Sequence, residues 1–310
     1  MRYAFVNELI KRAKNNKNLY LLTADLGYTV FENFQKTYPK QFINVGIAEA
    51  NMMGLAAGMA LCGKTVFTYS ISTFATLRPY EQIRNDICSH NAHVIIVGSG
   101  AGLSYSDGGL THHGVQDIAL MRLLPNMTVL CPADPTEVSW AVSEAIKLKG
   151  PVYIRLGKKG EPNLYTNNKN IKLKLGQGSE LKKGKDIALI GTGNIVYNVT
   201  KAAEILEKKG LSTAVISMHT VKPIDKKIIK ELSKNVKMII TVEEHSLIGG
   251  LGDAVLDNIN NFSNHKIHFL KIGLTDEFVK CAGTHDFLRK KYNLSPEKIA
   301  QKVLSIYKKI

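Results

Sequence analysis

Residues 44–61, NVGIAEANMMGLAAGMAL, decide how the rest of the chain is read. From Ala48 onward the run is almost entirely Ala, Gly, Met and Leu, and it carries one charge, Glu49. A segment this apolar predicts a buried helix. A lone carboxylate at its start then has two explanations. One is a first-turn acid in favourable contact with the helix dipole. The other is a site role that the run by itself does not name. The segments on either side choose between them.

Upstream, NLYLLTADLG predicts a buried strand ending at Asp25 and Gly27. Downstream, TVFTYS after Gly63, the apolar HVIIVGSGAGLS, and GPVYIRLGK predict further strands. MTVLCPADPTEVSWAVSEAIKL predicts strand, loop and helix, with Asp134 or Thr136 as N-cap. Strands alternating with helices imply a parallel sheet covered on both faces. The fold class is therefore α/β, with a first parallel-sheet domain over residues 1–165. Residues 166–185 belong to a polar, basic, Asn- and Gly-rich tract and are expected to be a linker or an edge excursion. Residues 186–310 repeat the α/β pattern and form a second domain. Its GTGNIV turn has Val196 where a dinucleotide fingerprint needs a third Gly, so it predicts a tight strand-to-helix turn.

Bulk composition removes several classes. A hydrophobic content of 45% with 22% charged residues is that of a globular chain. No apolar run is long enough to predict a membrane span. The N-terminal MRYAFVNELIKRAKNNKN predicts an amphipathic helix, not a signal peptide. The cysteines Cys62, Cys88, Cys131 and Cys281 are far apart, which argues against a zinc site or disulfide framework and fits a reducing cytoplasm. The net charge of +15 comes from scattered lysines not interleaved with aromatics, so nucleic acid is not the expected partner.

Chemistry-bearing residues gather in the first half. STFATLRPYEQIRND places Phe74, Arg78 and Tyr80 just past a strand. SDGGLTHHGVQD is a Gly-rich loop with too few apolar residues to pack itself, and it carries Asp107, His112 and His113. Asp25 ends a buried strand, where ligand sites of open α/β sheets collect.

Together with VEEHSLIGGLGDAV and GTHDFLRKKYNL in the second half, these segments occur in an order that resembles the thiamine-diphosphate enzymes of the transketolase family. The resemblance covers nearly the whole chain. It is similar to a transketolase lacking its first half, as in split transketolases made of two polypeptides. The resemblance implies a pyrimidine-binding domain followed by a transketolase C-terminal-like domain. It implies transfer of a two-carbon ketol unit between ketose and aldose substrates. Glu49 matches the glutamate that binds N1′ of the aminopyrimidine and acts in catalysis with His112. Phe74 matches the stacking aromatic, with Arg78 and Tyr80 around the same ring and Asp25 near the cofactor and the subunit interface. His112 matches the loop histidine that meets substrate hydroxyls, with Asp107 nearby; His113 stands where many relatives have Gln. Arg2 and Arg155 fall where relatives place arginines for the substrate phosphate.

Two departures qualify the match. No G-D-G…N diphosphate motif is present, so thiamine diphosphate is expected to be shared with a partner chain. That N-terminal transketolase subunit would hold Mg²⁺ or Ca²⁺, no metal ligands are expected in this chain, and the assembly implied is α2β2. In addition, the loop Gly98, Ser99, Gly100, Ala101 lacks the basic residue that relatives use for sugar phosphate. The phosphate then falls to Lys158, Lys159 or the partner, or the sugar is not a standard sugar phosphate. Other thiamine enzymes on this scaffold (deoxyxylulose-phosphate synthase, a 2-oxoacid dehydrogenase β subunit, a pathway-specific transketolase) and a non-catalytic scaffold subunit are the alternatives.

Overall fold

The computed structural model describes residues 1–165, 172–259 and 267–310; residues 166–171 of the expected linker lie outside the described residues. Twelve strands are described: β1 Leu19–Thr23, β2 Phe42–Asn44, β3 Thr65–Ile71, β4 Val94–Ser99, β5 Thr128–Leu130, β6 Val152–Leu156, β7 Ser179–Lys182, β8 Ile187–Gly191, β9 Thr213–Ser217, β10 Thr220–Lys222, β11 Met238–Ser246 and β12 His268–Leu274. They form a seven-stranded sheet in the order β10-β5-β6-β4-β3-β1-β2 and a five-stranded sheet in the order β12-β11-β8-β9-β7. Neighbours pair in parallel except at two edges, where β10 runs antiparallel to β5 and β7 antiparallel to β9.

The central strands read as continuous apolar runs because helices cover both faces. On one face of the first sheet, helix Glu49–Leu61 buries Met52, Met53, Ala56 and Ala57. On the other, helices Arg2–Ala13 and Pro135–Ala145 bury Phe5, Leu9, Val138 and Val142. Asp134 is the N-cap of the latter, accepting from Glu137 N at 2.8 Å. Helix Glu49–Leu61 corrects the expectation of a run buried all round. Its outer side leaves Leu55 and Leu61 exposed, and Ile47 just before it is 77% exposed.

Strands β2, β7, β10 and β12 were not foreseen. β7 lies inside the tract read as linker or edge excursion and forms the outer edge of the second sheet. β10 leaves the second half of the chain and adds itself to the first sheet. The two halves also meet at Gly102, whose φ of +66° suits glycine and where a Cβ would lie 2.4 Å from Glu244 Oε2. Among the described residues no helix is long and apolar enough to cross a membrane.

Candidate functional site

Glu49 is the first residue of its helix, preceded by Ala48, which offers no side-chain cap. Its carboxylate sits at the positive end of the helix dipole, as first-turn acids do, but its partners come from elsewhere. Ser70, near the C-terminal end of β3, donates to Oε1 at 2.9 Å. Arg78 Nη1 donates to Oε2 at 3.0 Å. Glu49 is 3% exposed, whereas the Arg78 side chain is 48% exposed, so one oxygen is locked inside and the other faces a mouth. The Arg78 guanidinium carbon lies 3.9 Å from the centroid of the Phe74 ring. A flat, charged, N–H-bearing group thus stacks on an aromatic face while donating to a recessed carboxylate.

The Gly-rich loop closes on the same ring. Phe74 and His112 meet edge to face with centroids 5.2 Å apart. Thr73 Oγ1 donates to the Thr111 carbonyl at 2.9 Å, tying helix Ser72–Thr76 to the loop. His112 Nδ1 pairs with Thr111 Oγ1 at 2.9 Å, which leaves Nε2 for a ligand. Asp107 is exposed and bonded to Lys158 Nζ at 3.1 Å; that hydrogen bond holds its carboxyl below the ordinary carboxylate range.

Other expected residues lie further out. Asp25 follows β1 with φ of +52° and accepts from Asn44 Nδ2 at 3.0 Å and Tyr28 Oη at 2.9 Å. These two hydrogen bonds lower its pKa. Asn44 Oδ1 also accepts from Gly46 N, so Asp25 is linked to the turn that leads into Glu49. Tyr80 is engaged elsewhere: its hydroxyl donates to the Leu120 carbonyl and its ring packs on the core, where burial raises its pKa. Arg2 Nε donates to the Lys158 carbonyl at 2.8 Å.

Arg155 requires a correction. It is 2% exposed, and its donors go to Asp117 Oδ2 at 2.8 Å, the Gly114 carbonyl at 3.1 Å and the Glu244 carbonyl at 3.0 Å. Burial works against the Asp117 charge, but Arg155 and His245 more than offset it and the carboxyl is lowered. A guanidinium buried to this degree, with Nε and Nη2 committed inside the protein, joins the two halves of the chain instead of facing a solvent-borne phosphate. His113 is likewise not at the surface of the loop. It is 2% exposed, burial pushes its pKa down, and among the described residues neither ring nitrogen has a hydrogen-bond partner.

Three contributors escaped the sequence. Ser70 is one of several hydroxyl residues in a strand buried from Val66 onward, and strand pattern alone does not show which of them meets Glu49. Glu244 of the second half accepts from Leu103 N of the first, and His285 bonds to Glu244 and lines a groove with Ser104 and Lys158, neighbours that no local pattern brings together.

The arrangement defines an α/β protein of two open sheets with a recessed carboxylate and an aromatic ring gathered at the strand ends, where ligand sites of such sheets collect. Residues 1–162 match the family model described as the transketolase pyrimidine-binding domain, and residues 176–299 that of the transketolase C-terminal domain. The chain belongs to the transketolase family. It is 40% identical to the putative transketolase C-terminal section of Methanocaldococcus jannaschii, over 100% of this chain and 96% of that one. It is 33% identical to a subunit of the apulose-4-phosphate transketolase of Phocaeicola vulgatus, over 99% of this chain and 97% of the relative. A solved split-gene transketolase, described as an inactive β4 tetramer, superposes with a TM-score of 0.89 at 36% identity, covering 98% of this chain and 97% of that one. The family implies thiamine diphosphate as cofactor.

Proposed function

We propose that this chain is the C-terminal subunit of a two-chain transketolase that moves a two-carbon ketol unit from a ketose to an aldose. The observation that carries this reading is the position of Arg78. Its guanidinium stands where a protonated aminopyrimidine is required: flat, stacked on Phe74 and donating to Glu49. The residues present therefore fit the pyrimidine half of thiamine diphosphate. When bound, that group supplies the nucleophilic carbon for the transfer.

The chain's own residues have these tasks. Glu49 holds a proton at the ring nitrogen, and its burial keeps water from competing for it. Ser70 fixes the carboxyl group through Oε1. Phe74 supplies a stacking face, worth about 0.5–1.5 kcal/mol beyond buried area. Arg78 gives way to the ring and stays at its rim, while Tyr80, bonded to the Leu120 carbonyl, supports the segment from the core side. His112 offers Nε2 to substrate hydroxyls, with Asp107 on the same loop. Arg2 stands at the Lys158 carbonyl, beside the lysines that replace the missing loop base. Asp25 lies on the side open to a partner.

A partner chain is part of the proposal. The diphosphate and its Mg²⁺ or Ca²⁺ fall to an N-terminal subunit in an α2β2 assembly. The exposed apolar side of helix Glu49–Leu61 with Ile47 is the surface that subunit association would cover. The relative described as a β4 tetramer is consistent with β chains that associate. Relatives of this length that are named as transketolase subunits, or as a C-terminal section, support the division into two chains. The test is reconstitution. The chain alone should show no ketol transfer, and mixing with a subunit that carries G-D-G…N should restore it in the presence of thiamine diphosphate and Mg²⁺. Full activity of the isolated chain overturns the shared-cofactor reading.

A further inference from the structure

Phe74 and His112 are carried by elements too short to hold themselves in place. Phe74 lies on the five-residue helix Ser72–Thr76, and His112 ends the single turn Leu110–His112. Helical turns of this length are unstable on their own, so the placement of the two rings must be imposed from outside. The hydrogen bond from Thr73 Oγ1 to the Thr111 carbonyl joins the two elements to each other but not to the sheet.

The anchor lies beneath them. Asp117, the first residue of helix Asp117–Leu123, is buried. Its Oδ2 collects three donors: Arg155 Nε at 2.8 Å, Tyr153 Oη at 2.6 Å and Ser72 Oγ at 3.1 Å. Ser72 Oγ also lies 3.1 Å from Tyr153 Oη. Ser72 opens the helix that carries Phe74. Arg155 Nη2 donates to the carbonyl of Gly114, two residues past His112, and to the Glu244 carbonyl of the second half. Gly114 in turn approaches Ser72 so closely that a Cβ there would lie 2.7 Å from Ser72 Oγ. One carboxylate oxygen thus connects the Phe74 helix, the end of the His112 loop and the second half of the chain. Ser72, Asp117, Tyr153 and Arg155 are all buried, so water does not compete for these bonds. Hydrogen bonds to an ionised group are also the stronger kind. Groups that orient a reaction need such support, because a displacement of about 1 Å can cost about 10²-fold in rate.

We propose that Asp117 is a positioning residue for the transfer reaction: through Ser72, Tyr153 and Arg155 it sets Phe74 and His112 relative to each other. Glu244, which holds Arg155 through its carbonyl, brings the second half into that placement. The proposal rests on the transketolase reading above, and the experiment separates the two.

Asp117→Asn leaves the Arg155 charge buried without its anion and can unfold the chain, so the test uses Ser72→Ala and Tyr153→Phe. Each removes one hydroxyl of the network and leaves the Asp117–Arg155 pair. Tyr165→Phe is the comparison. It removes another buried phenolic hydroxyl, bonded to Glu137 at a different contact between the halves. The His112 and Phe74 rings meet with centroids 5.2 Å apart, so the His112 ring protons sense the Phe74 ring current. Imidazole NMR of the full chain should show the His112 resonances moved by Ser72→Ala and by Tyr153→Phe, and unmoved by Tyr165→Phe. In the reconstituted complex the first two should each lower kcat by about tenfold to a hundredfold, and Tyr165→Phe should leave it unchanged. A kcat within twofold of wild type for Ser72→Ala or Tyr153→Phe, an unmoved His112 ring, or an equal kcat loss in Tyr165→Phe overturns the proposal. If the wild-type complex transfers no ketol unit while Ser72→Ala and Tyr153→Phe still move His112, the functional reading falls and the placement of the two rings by Asp117 stands for another reaction.

Discussion

Glu49→Gln separates a catalytic acid from a structural helix-start carboxylate. The substitution preserves volume and removes the acid. Ser70, at 2.9 Å, can still donate to the amide oxygen. The new NH2 then faces Arg78 Nη1 across 3.0 Å, donor against donor. Arg78 is 48% exposed, so its guanidinium can turn to water at little cost. A solvent-screened ion pair contributes about 0.2–1 kcal/mol. The contact of the guanidinium with the Phe74 face contributes about 0.5–1 kcal/mol at an accessible site. The fold should therefore lose about 1–2 kcal/mol at most, a Tm change of a few degrees in a chain this long. A positioned proton-transfer group typically supplies 10²- to 10⁴-fold in rate, or about 3–5 kcal/mol of barrier. Ketol-transfer kcat in the reconstituted complex should thus fall by about two to four orders of magnitude, while thermal melts by circular dichroism barely move. A variant that keeps kcat within twofold but melts far earlier would refute the reasoning and return Glu49 to helix capping.

Arg78→Ala should lower the apparent KM for thiamine diphosphate, by up to about tenfold, because a competitor worth about 1–2 kcal/mol no longer has to leave Phe74; a raised KM means that Arg78 contacts the bound cofactor directly. Arg155→Ala leaves the Asp117 charge buried and should cost about 3–5 kcal/mol in urea unfolding, with equal effects on KM for phosphorylated and unphosphorylated acceptors; a phosphate-specific effect would restore Arg155 to the substrate. Glu137, fully buried beneath Tyr165 and Ser217, has its carboxyl raised by burial from 4.5 to about 7. The folded state therefore binds more protons than the unfolded state between these values, and stability from this group falls by about 3 kcal/mol as pH rises through that window. His219, lowered by burial from 6.5 to about 4, has the opposite slope, since its neutral form is favoured on folding and stability rises with pH between those values. The two slopes overlap and mask each other in the wild type, so the measurement is the wild-type minus Glu137→Gln difference in unfolding free energy from pH 4 to 8; a difference that stays flat with pH contradicts the Glu137 assignment.

How much of this was legible in the sequence depended on whether a signal was local. Glu49 stood out because it is the one charge in an apolar run, and the first-turn position that made it conspicuous is where the structure puts it. His112 sits in a Gly-rich loop too poor in apolar residues to pack itself, whereas Phe74 lies on helix Ser72–Thr76 just past β3, and their ring contact brings that loop onto the helix. Arg155 was misassigned although a warning was present. It lies in VYIRL, every position of which is buried, and an arginine inside such a strand must find an anion inside the protein. Asp117 is that anion, but it lies on a helix between two other strands, so no spacing rule reaches it. β10 is three residues long, too short for periodicity to register, and its place in the first sheet depends on contacts made after the halves dock. His285 belongs to the same class, since its meaning comes from Glu244 and from a wall built by the other half. Helix Glu49–Leu61 shows the limit from the other direction. Its apolar residues run round the whole circumference, so the pattern cannot say which side faces the sheet and which faces outward. A helix apolar on every side but buried on one has sequence requirements set partly by something outside the chain, as a polypeptide that completes its site with a partner would have.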